Sequence, residues 1–111
     1  MTKEYVLQII MEKINALALA GSLLHVALNN SVDDRAKIIV RQLDIAAQQS
    51  AILSARYQEI AAGLPFVSPS NAEIQALRTE IAKLQIATSH AANEDIVLQH
   101  LEAVCAMWPF D

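Results

Sequence analysis

Apolar residues recur along this chain at intervals of three and four, the period of a helix that buries one face. Polar caps and helix breakers divide the pattern into four segments, residues 3–29, 32–63, 70–90 and 93–108. Alanine is abundant, and two glycines and three prolines are few breakers for 111 residues. We therefore predict an all-α fold in a single domain (1–111): an antiparallel helical hairpin or four-helix bundle.

The breaks between segments carry the usual chemistry of helix ends. Asn29-Asn30-Ser31 precedes a pair of aspartates, which suits the end of one helix and the start of the next. Gly63 to Asn71 combines a glycine stop with two prolines and offers Ser70 or Asn71 as a cap. Asn93-Glu94-Asp95 is a weaker break, so the third and fourth segments either form two helices or one long kinked helix.

A stretch that begins in the first segment and runs to the start of the second, residues 14–32, has no Lys, Arg, Asp or Glu. It fits either a membrane span or the buried centre of a helical bundle. Its strongly apolar part, residues 14–28, is about 22 Å long as a helix, short of the roughly 30 Å hydrocarbon core. One narrow side of the helix is polar: Glu4, Gln8, Glu12, Asn15, Ser22 and Asn29. We interpret the segment as a core helix, with membrane association or membrane activity through residues 14–32 as the alternative.

The second segment carries two apolar stripes. The first predicts a coiled-coil-like seam and comprises Ala36, Ile39, Leu43, Ala46, Ser50, Leu53, Tyr57, Ile60 and Leu64. The second stripe repeats every seven residues at Ile38, Ile45 and Ile52. It is flanked by Arg41, Gln49 and Arg56. This stripe packs either on a third helix of the same chain or on another subunit, and we assign its six residues to a partner-binding surface.

Narrower seams follow in the last two segments. The seam of the third segment comprises Ile74, Leu77, Ile81, Leu84, Thr88 and Ala91. The seam of the fourth segment comprises Val97, Leu98, Leu101, Val104, Cys105 and Trp108. In the first segment Ala20, Gly21 and Ala27 are small enough to let another helix come close.

The five aromatic residues fall where an up-and-down topology would bring them to one pole: Tyr5, Tyr57, Phe66, Trp108 and Phe110. They either plug the end of the core or form a platform for a partner. On the second interpretation Phe66, Trp108 and Phe110 join the partner-binding set.

Composition favours a partner surface. Hydrophobic residues make up 54% and charged residues 18%, against typical values of about 45–50% and about 25%. A monomer of this size usually cannot bury so many hydrophobic residues, so we expect oligomerisation to complete the bundle. The net charge is −4 and no basic stripe exists, which argues against nucleic-acid binding. The N-terminal apolar run is too short for a secretory signal, and we expect a cytoplasmic protein.

The sequence contains few residue patterns that indicate a catalytic or metal-binding site. No Glu or Asp has a histidine three residues later, as di-metal carboxylate bundles require, and His90 with Glu94 supplies only two ligands. His100 and Cys105 are five residues apart and do not share a helical face. A single cysteine excludes an intramolecular disulfide. We predict no enzyme, cofactor, metal or small-molecule substrate; the enzymatic alternative needs an inter-subunit site built from His25, His90, Glu94 or His100.

These patterns favour a non-enzymatic helical interaction module, such as an adaptor, chaperone, immunity or assembly subunit. It would bind a partner helix or itself through apolar helix faces. In size and helical-hairpin character the chain is similar, at the level of fold alone, to small bacterial secretion partners, chaperones and immunity proteins. It contains none of their diagnostic motifs, and fold alone does not carry function.

Overall fold

The computed structural model describes residues 2–29, 32–89 and 94–107. They form four helices: α1 (Lys3–Leu28), α2 (Asp33–Ala61), α3 (Asn71–Ser89) and α4 (Glu94–Ala106). Helix accounts for 87% of the described residues and none of them lies in a strand, which confirms the all-α prediction. Each helix begins and ends within two residues of its predicted segment.

Local hydrogen bonds explain where the helices begin and end. The Thr2 hydroxyl accepts from the Tyr5 N–H at 3.2 Å and caps α1. Ser70 and Glu73 form a reciprocal capping box at α3: the Ser70 hydroxyl accepts from the Glu73 N–H, and the Glu73 carboxylate accepts from the Ser70 N–H. Gly63, at φ 98°, ends α2 in a left-handed conformation that glycine adopts without strain.

α1 is the central helix and packs against each of the other three. α4 packs against α2 and α3 as well, whereas within the described ranges the backbones of α2 and α3 do not come close enough to pack. An Arg35–Asp95 ion pair of 2.6 Å joins the first turn of α2 to that of α4, so these two helices run in the same direction. α4 has only 13 residues and ends beside Lys13, midway along α1.

The buried side chains of α2, α3 and α4 fall mainly on the predicted apolar stripes, and α1 supplies the rest of the core. In α2, every seventh residue is buried: Ile39, Ala46, Leu53 and Ile60. In α3 and α4 the buried seam residues are Ile74, Leu77, Ile81, Leu84, Thr88, Val97, Leu98, Leu101, Val104 and Cys105. Leu64 was wrongly placed in the α2 seam, because the helix ends before it and its side chain is exposed. Ala91 and Trp108 lie outside the described residues.

α1 only partly matches the predicted core helix with one narrow polar edge. Gln8, Asn15, Ser22 and Asn29 are exposed as predicted. Leu19 and Val26 are also 47% and 65% exposed, so the solvent-exposed side of α1 is wider than predicted. α1 is long and apolar enough to cross a membrane, a property that core helices share, and 39% of its most apolar 18 residues are buried.

The small residues of α1 face α2 of the same chain. A Cβ added at Gly21 would lie 3.8 Å from Leu43 Cδ2, an ordinary van der Waals contact. The close approach predicted at this position is therefore an intramolecular one.

Candidate protein-binding face

The second stripe of α2 is largely uncovered. Ile38 is 54% and Ile52 47% exposed, while Ile45 is half-buried against the edge of the core. The stripe lies roughly 90–120° around the helix from the buried seam at 100° per residue. We call the exposed surface formed by Asp34, Ile38, Arg41, Ile45, Gln48, Ile52 and Arg56 the isoleucine face.

The packing of α2 explains this exposure. α1 covers the side of α2 that carries Leu43, and α4 covers the side that carries Gln49. α3 does not reach α2 within the described part of the chain, and α4 stops after 13 residues. The sequence left two alternatives for this stripe: packing within the chain or packing on another subunit. Only Ile45 packs against the core of its own chain, whereas Ile38 and Ile52 are exposed.

Two open grooves flank the isoleucine face. One, of about 340 Å³, lies between α2 and α4 and is lined by Ile38, Arg41, Gln42, Ile45, Glu102 and Cys105. The other, of about 520 Å³, lies along α2 and is lined by Ala36, Lys37, Val40, Arg41, Asp44, Ile45 and Gln48. Arg41 and Ile45 line both grooves and form the ridge between them. This relief of one ridge between two grooves suits interdigitation with the side chains of another helix.

The amides at the α2–α4 contact are incompletely satisfied. Gln49 Nε2 donates to the Cys105 carbonyl at 2.8 Å and ties α2 to α4, so its amide group serves this internal contact. The Oε1 atoms of Gln42 and Gln49 are buried and have no hydrogen-bond partner among the residues that the structure describes. A buried acceptor left unpaired costs about 1–3 kcal/mol. Gln42 is also one of the residues that line the α2–α4 groove.

The Cys105 thiol in the same groove is not activated. Burial raises its pKa and Glu102 adds to the rise, while the nearby Lys13 opposes it. The neutral thiol therefore persists at pH 7, and a nucleophilic role is disfavoured because the thiolate is the reactive form.

Two charged residues of the isoleucine face, Asp34 and Arg41, are available to a partner. The side chains of Asp34 and Arg41 are exposed and form no ion pair with any residue in the described ranges. Together, the charges of residues 33–64 sum to zero. The face thus combines exposed apolar side chains with charges of both signs.

Phe66 lies in a different cleft, at the end of the bundle that holds the start of α1. This cleft, of about 610 Å³, is lined by Val6, Arg56, Glu59, Ile60, Pro65, Phe66, Val67, Ser68, Pro69 and Glu73. Arg56 lines it too, so the far end of the isoleucine face meets the Phe66 cleft. Trp108 and Phe110, also predicted to bind a partner, lie outside the described residues.

Tyr5 and Tyr57 lie near the same end of the molecule. Tyr57 lines a shallow groove with Leu7, Gln8 and Met11 of α1. Tyr5 accepts a hydrogen bond from Arg78 Nη1 at 3.1 Å, and the Arg78 guanidinium lies 5.3 Å from its ring centre. Three of the five aromatic residues thus surround the first turns of α1, and the predicted positions of the other two stay predictions.

Several polar contacts between helices were not predicted. Arg78 Nε and Nη2 donate to the two carboxylate oxygens of Glu12, each at 3.0 Å, and join α3 to α1. His100 Nδ1 lies 3.3 Å from Glu80 Oε2, and Lys83 Nζ lies 3.2 Å from Glu80 Oε1. Burial opposes ionisation of Glu80, but the hydrogen bonds from Lys83 and His100 lower its pKa overall. Lys83 and Glu80 are three residues apart within α3. Sequence spacing along one helix cannot reveal the Arg78–Glu12 and His100–Glu80 pairs, because their partners lie on different helices.

The residues of the enzymatic alternative do not meet in a described site. His25 is exposed, and His100 pairs with Glu80. His90 and the Glu94 side chain lie outside the described residues. In the part of the chain that the structure describes, no group of three or more His, Cys, Asp or Glu residues could hold a metal ion. No protein-family model, curated protein or solved structure matches this chain.

Proposed function

We propose that this protein is a non-enzymatic interaction module that binds a helix, from a second copy or from another protein, through the isoleucine face. One observation carries the proposal: Ile38 and Ile52 are about half exposed on either side of Ile45, on a helix that, among the described residues, packs against only two others. Such a periodic apolar stripe on a folded surface is typical of a site for another helix.

The energetics of burial support a helical partner. Burying an exposed isoleucine side chain fully contributes about 1.5–3 kcal/mol, so covering the exposed halves of Ile38 and Ile52 contributes roughly 2 kcal/mol together. Residues seven apart lie about 10.5 Å apart along a helix axis. A partner helix that follows α2 reaches all three isoleucines, whereas a small molecule in either groove reaches one or two.

Charge and shape support a protein rather than a nucleic acid or a substrate. Nucleic-acid binding needs clustered Lys and Arg to neutralise phosphates, and the basic residues of α2 are matched by as many acidic ones. Small-molecule sites are usually concave and hold convergent polar groups, whereas these grooves are open and flank a ridge.

Photo-cross-linking in cells tests the proposal. A photoreactive amino acid is placed at Ile52 or, as a matched control, at Ser54, which is exposed on the opposite side of α2. We expect a defined protein adduct from position 52, little from position 54, and loss of the adduct when Ile45→Glu is added. Equal adducts from both positions, or adducts that survive Ile45→Glu, would refute a protein-binding role for this face.

A further inference from the structure

We propose that the isoleucine face binds α2 of a second copy of this chain, with the two helices antiparallel and a two-fold axis beside Ile45. This inference rests on the proposed function and names the partner at the same surface.

The arrangement of residues along α2 is self-complementary about Ile45. In an antiparallel pair centred there, Ile38 faces Ile52 of the second copy, and Ile52 faces Ile38. The two Ile45 side chains meet at the axis. An isologous interface requires this reciprocity, in which each residue meets its counterpart twice.

The charges follow the same symmetry. Asp34 and Arg56 lie eleven residues on either side of Ile45, both exposed, so each carboxylate faces the other copy's guanidinium. Arg41 falls within one residue of the level of Gln48 of the second copy, whose amide oxygen can accept from it. In a parallel pair each residue would instead face the same residue of the second chain, so Asp34 would meet Asp34, Arg41 would meet Arg41 and Arg56 would meet Arg56. Like charges in contact are unfavourable.

The overall charge of α2 also permits self-association. Arg35, Lys37, Arg41 and Arg56 balance Asp33, Asp34, Asp44 and Glu59, whereas the whole excess of negative charge lies in residues 65–111. A pair formed through α2 therefore joins two helices without net charge, and each isoleucine face carries one acidic and two basic residues. The acidic part of the chain contributes mainly long-range repulsion, which salt screens.

The size of the face sets the expected affinity. From Asp34 to Arg56 the face is about 33 Å long at 1.5 Å per residue, and about 10 Å wide. This footprint, roughly 330 Å², is below the ~800 Å² per partner of a standard stable interface. We therefore expect a dimer that dissociates in the micromolar range.

Disulfide trapping tests both the partner and the direction of the helices. All variants carry Cys105→Ala, and cross-linking is started with copper phenanthroline at 100 µM protein, a concentration chosen as about the expected dissociation constant or above. We expect Ile45→Cys to form a disulfide dimer readily. A mixture of Ile38→Cys and Ile52→Cys proteins, with one made heavier by a tag, should form the mixed dimer faster than either forms its own. Ser54→Cys serves as the background.

Each other outcome has a definite meaning. Self-linked Ile38→Cys and Ile52→Cys dimers that outpace the mixed dimer would replace the antiparallel arrangement with a parallel one. Rates at the Ser54→Cys background for all three positions would overturn self-association through this face. In that case a cellular adduct from position 52 with a different protein would still uphold the proposed function, so the two proposals fail separately.

A charge exchange gives independent evidence. Asp34→Arg should weaken dimerisation measured by analytical ultracentrifugation, by roughly fivefold or more, because two exposed ion pairs are lost and replaced by repulsion. Adding Arg56→Asp should restore it only if residues 34 and 56 face each other. A double variant no tighter than the single one would overturn the antiparallel register.

Discussion

Lys13 shows how a buried charge can join two helices. Its side chain is 0% exposed, yet lysine is rarely fully buried unless it is paired. Its ammonium donates to the Met107 carbonyl at 2.8 Å, just past the last residue of α4. Unpaired carbonyls make a helix C-terminus partially negative, so the cation is favourably placed there. The contact fixes the end of α4 midway along α1.

We expect Lys13→Met to destabilise the fold by about 1–3 kcal/mol, because the partly buried Met107 carbonyl loses its donor while the aliphatic stem is kept. Urea unfolding monitored by circular dichroism measures the change. Lys3→Met, at a more exposed position of the same helix, is the control and should change stability by less than about 0.5 kcal/mol. Equal effects of the two substitutions would mean that the Lys13 contact adds nothing to stability.

Cys105 makes stability depend on pH in the alkaline range. Burial raises its pKa above the value of about 8.5 that the unfolded chain has. A raised pKa contributes stability that is fully present below the unfolded value and is lost as pH rises through the folded one. We therefore expect the free energy of unfolding to fall as pH rises above about 8.5, and to fall less in Cys105→Ala. Parallel pH curves for the two proteins would contradict this.

At the scale of the helices, the sequence pattern predicted well which side of each helix is buried, and poorly which residues of other helices it contacts. The three-and-four spacing predicted the buried seams because burial depends on the angle of a residue around its own helix. By that criterion Lys13 could also have been found, since it lies on the same side of α1 as Val6 and Leu17. The pairs Arg78–Glu12 and Glu80–His100 could not, because they depend on how different helices pack.

The candidate site was predictable to a similar extent. The seven-residue repeat of Ile38, Ile45 and Ile52 marked a second face of α2, but the sequence could not show whether another helix of the same chain covers it. That depends on the length of α4 and on the absence of a contact between α2 and α3 in the described ranges. Gln49 was placed on the partner surface, whereas its amide binds the Cys105 carbonyl.

The two glycines differ in position: Gly63 follows the end of α2, and Gly21 lies inside α1. Replacing each with alanine therefore compares the need for glycine at a helix end with that inside a helix. A Cβ at Gly63 would meet nothing within 4 Å, so Gly63→Ala is opposed only by the backbone, whose φ is 98°. We expect a loss of about 1 kcal/mol. Gly21 is inside α1, and Gly21→Ala should instead stabilise by about 0.5–1 kcal/mol, because Leu43 leaves room for a methyl group. Thermal unfolding of both variants measures the signs. A stabilising Gly63→Ala would mean that this turn does not need a left-handed residue.

At the scale of the whole molecule, α1 decides between the core and membrane interpretations. It contacts the other three helices, so its insertion into lipid would expose the apolar sides of all of them. A lipid-facing helix would be apolar around its circumference, whereas this one carries the exposed polar residues Gln8, Asn15 and Ser22 along one side. We therefore expect the protein to fold and remain in solution without detergent.

Substitutions on opposite sides of α1 test this expectation. Leu19→Gln with Val26→Gln alters exposed positions, and should change the free energy of unfolding in buffer by about 1 kcal/mol or less, since each surface change costs up to about 0.5 kcal/mol. Leu24 is fully buried, and Leu24→Gln should cost roughly 3 kcal/mol or more through lost packing and an unsatisfied amide. Flotation with phosphatidylcholine and phosphatidylglycerol vesicles provides the second measurement. Wild-type protein that floats with the vesicles, and is released by the Leu19 and Val26 substitutions, would establish membrane association through α1 in place of the core interpretation.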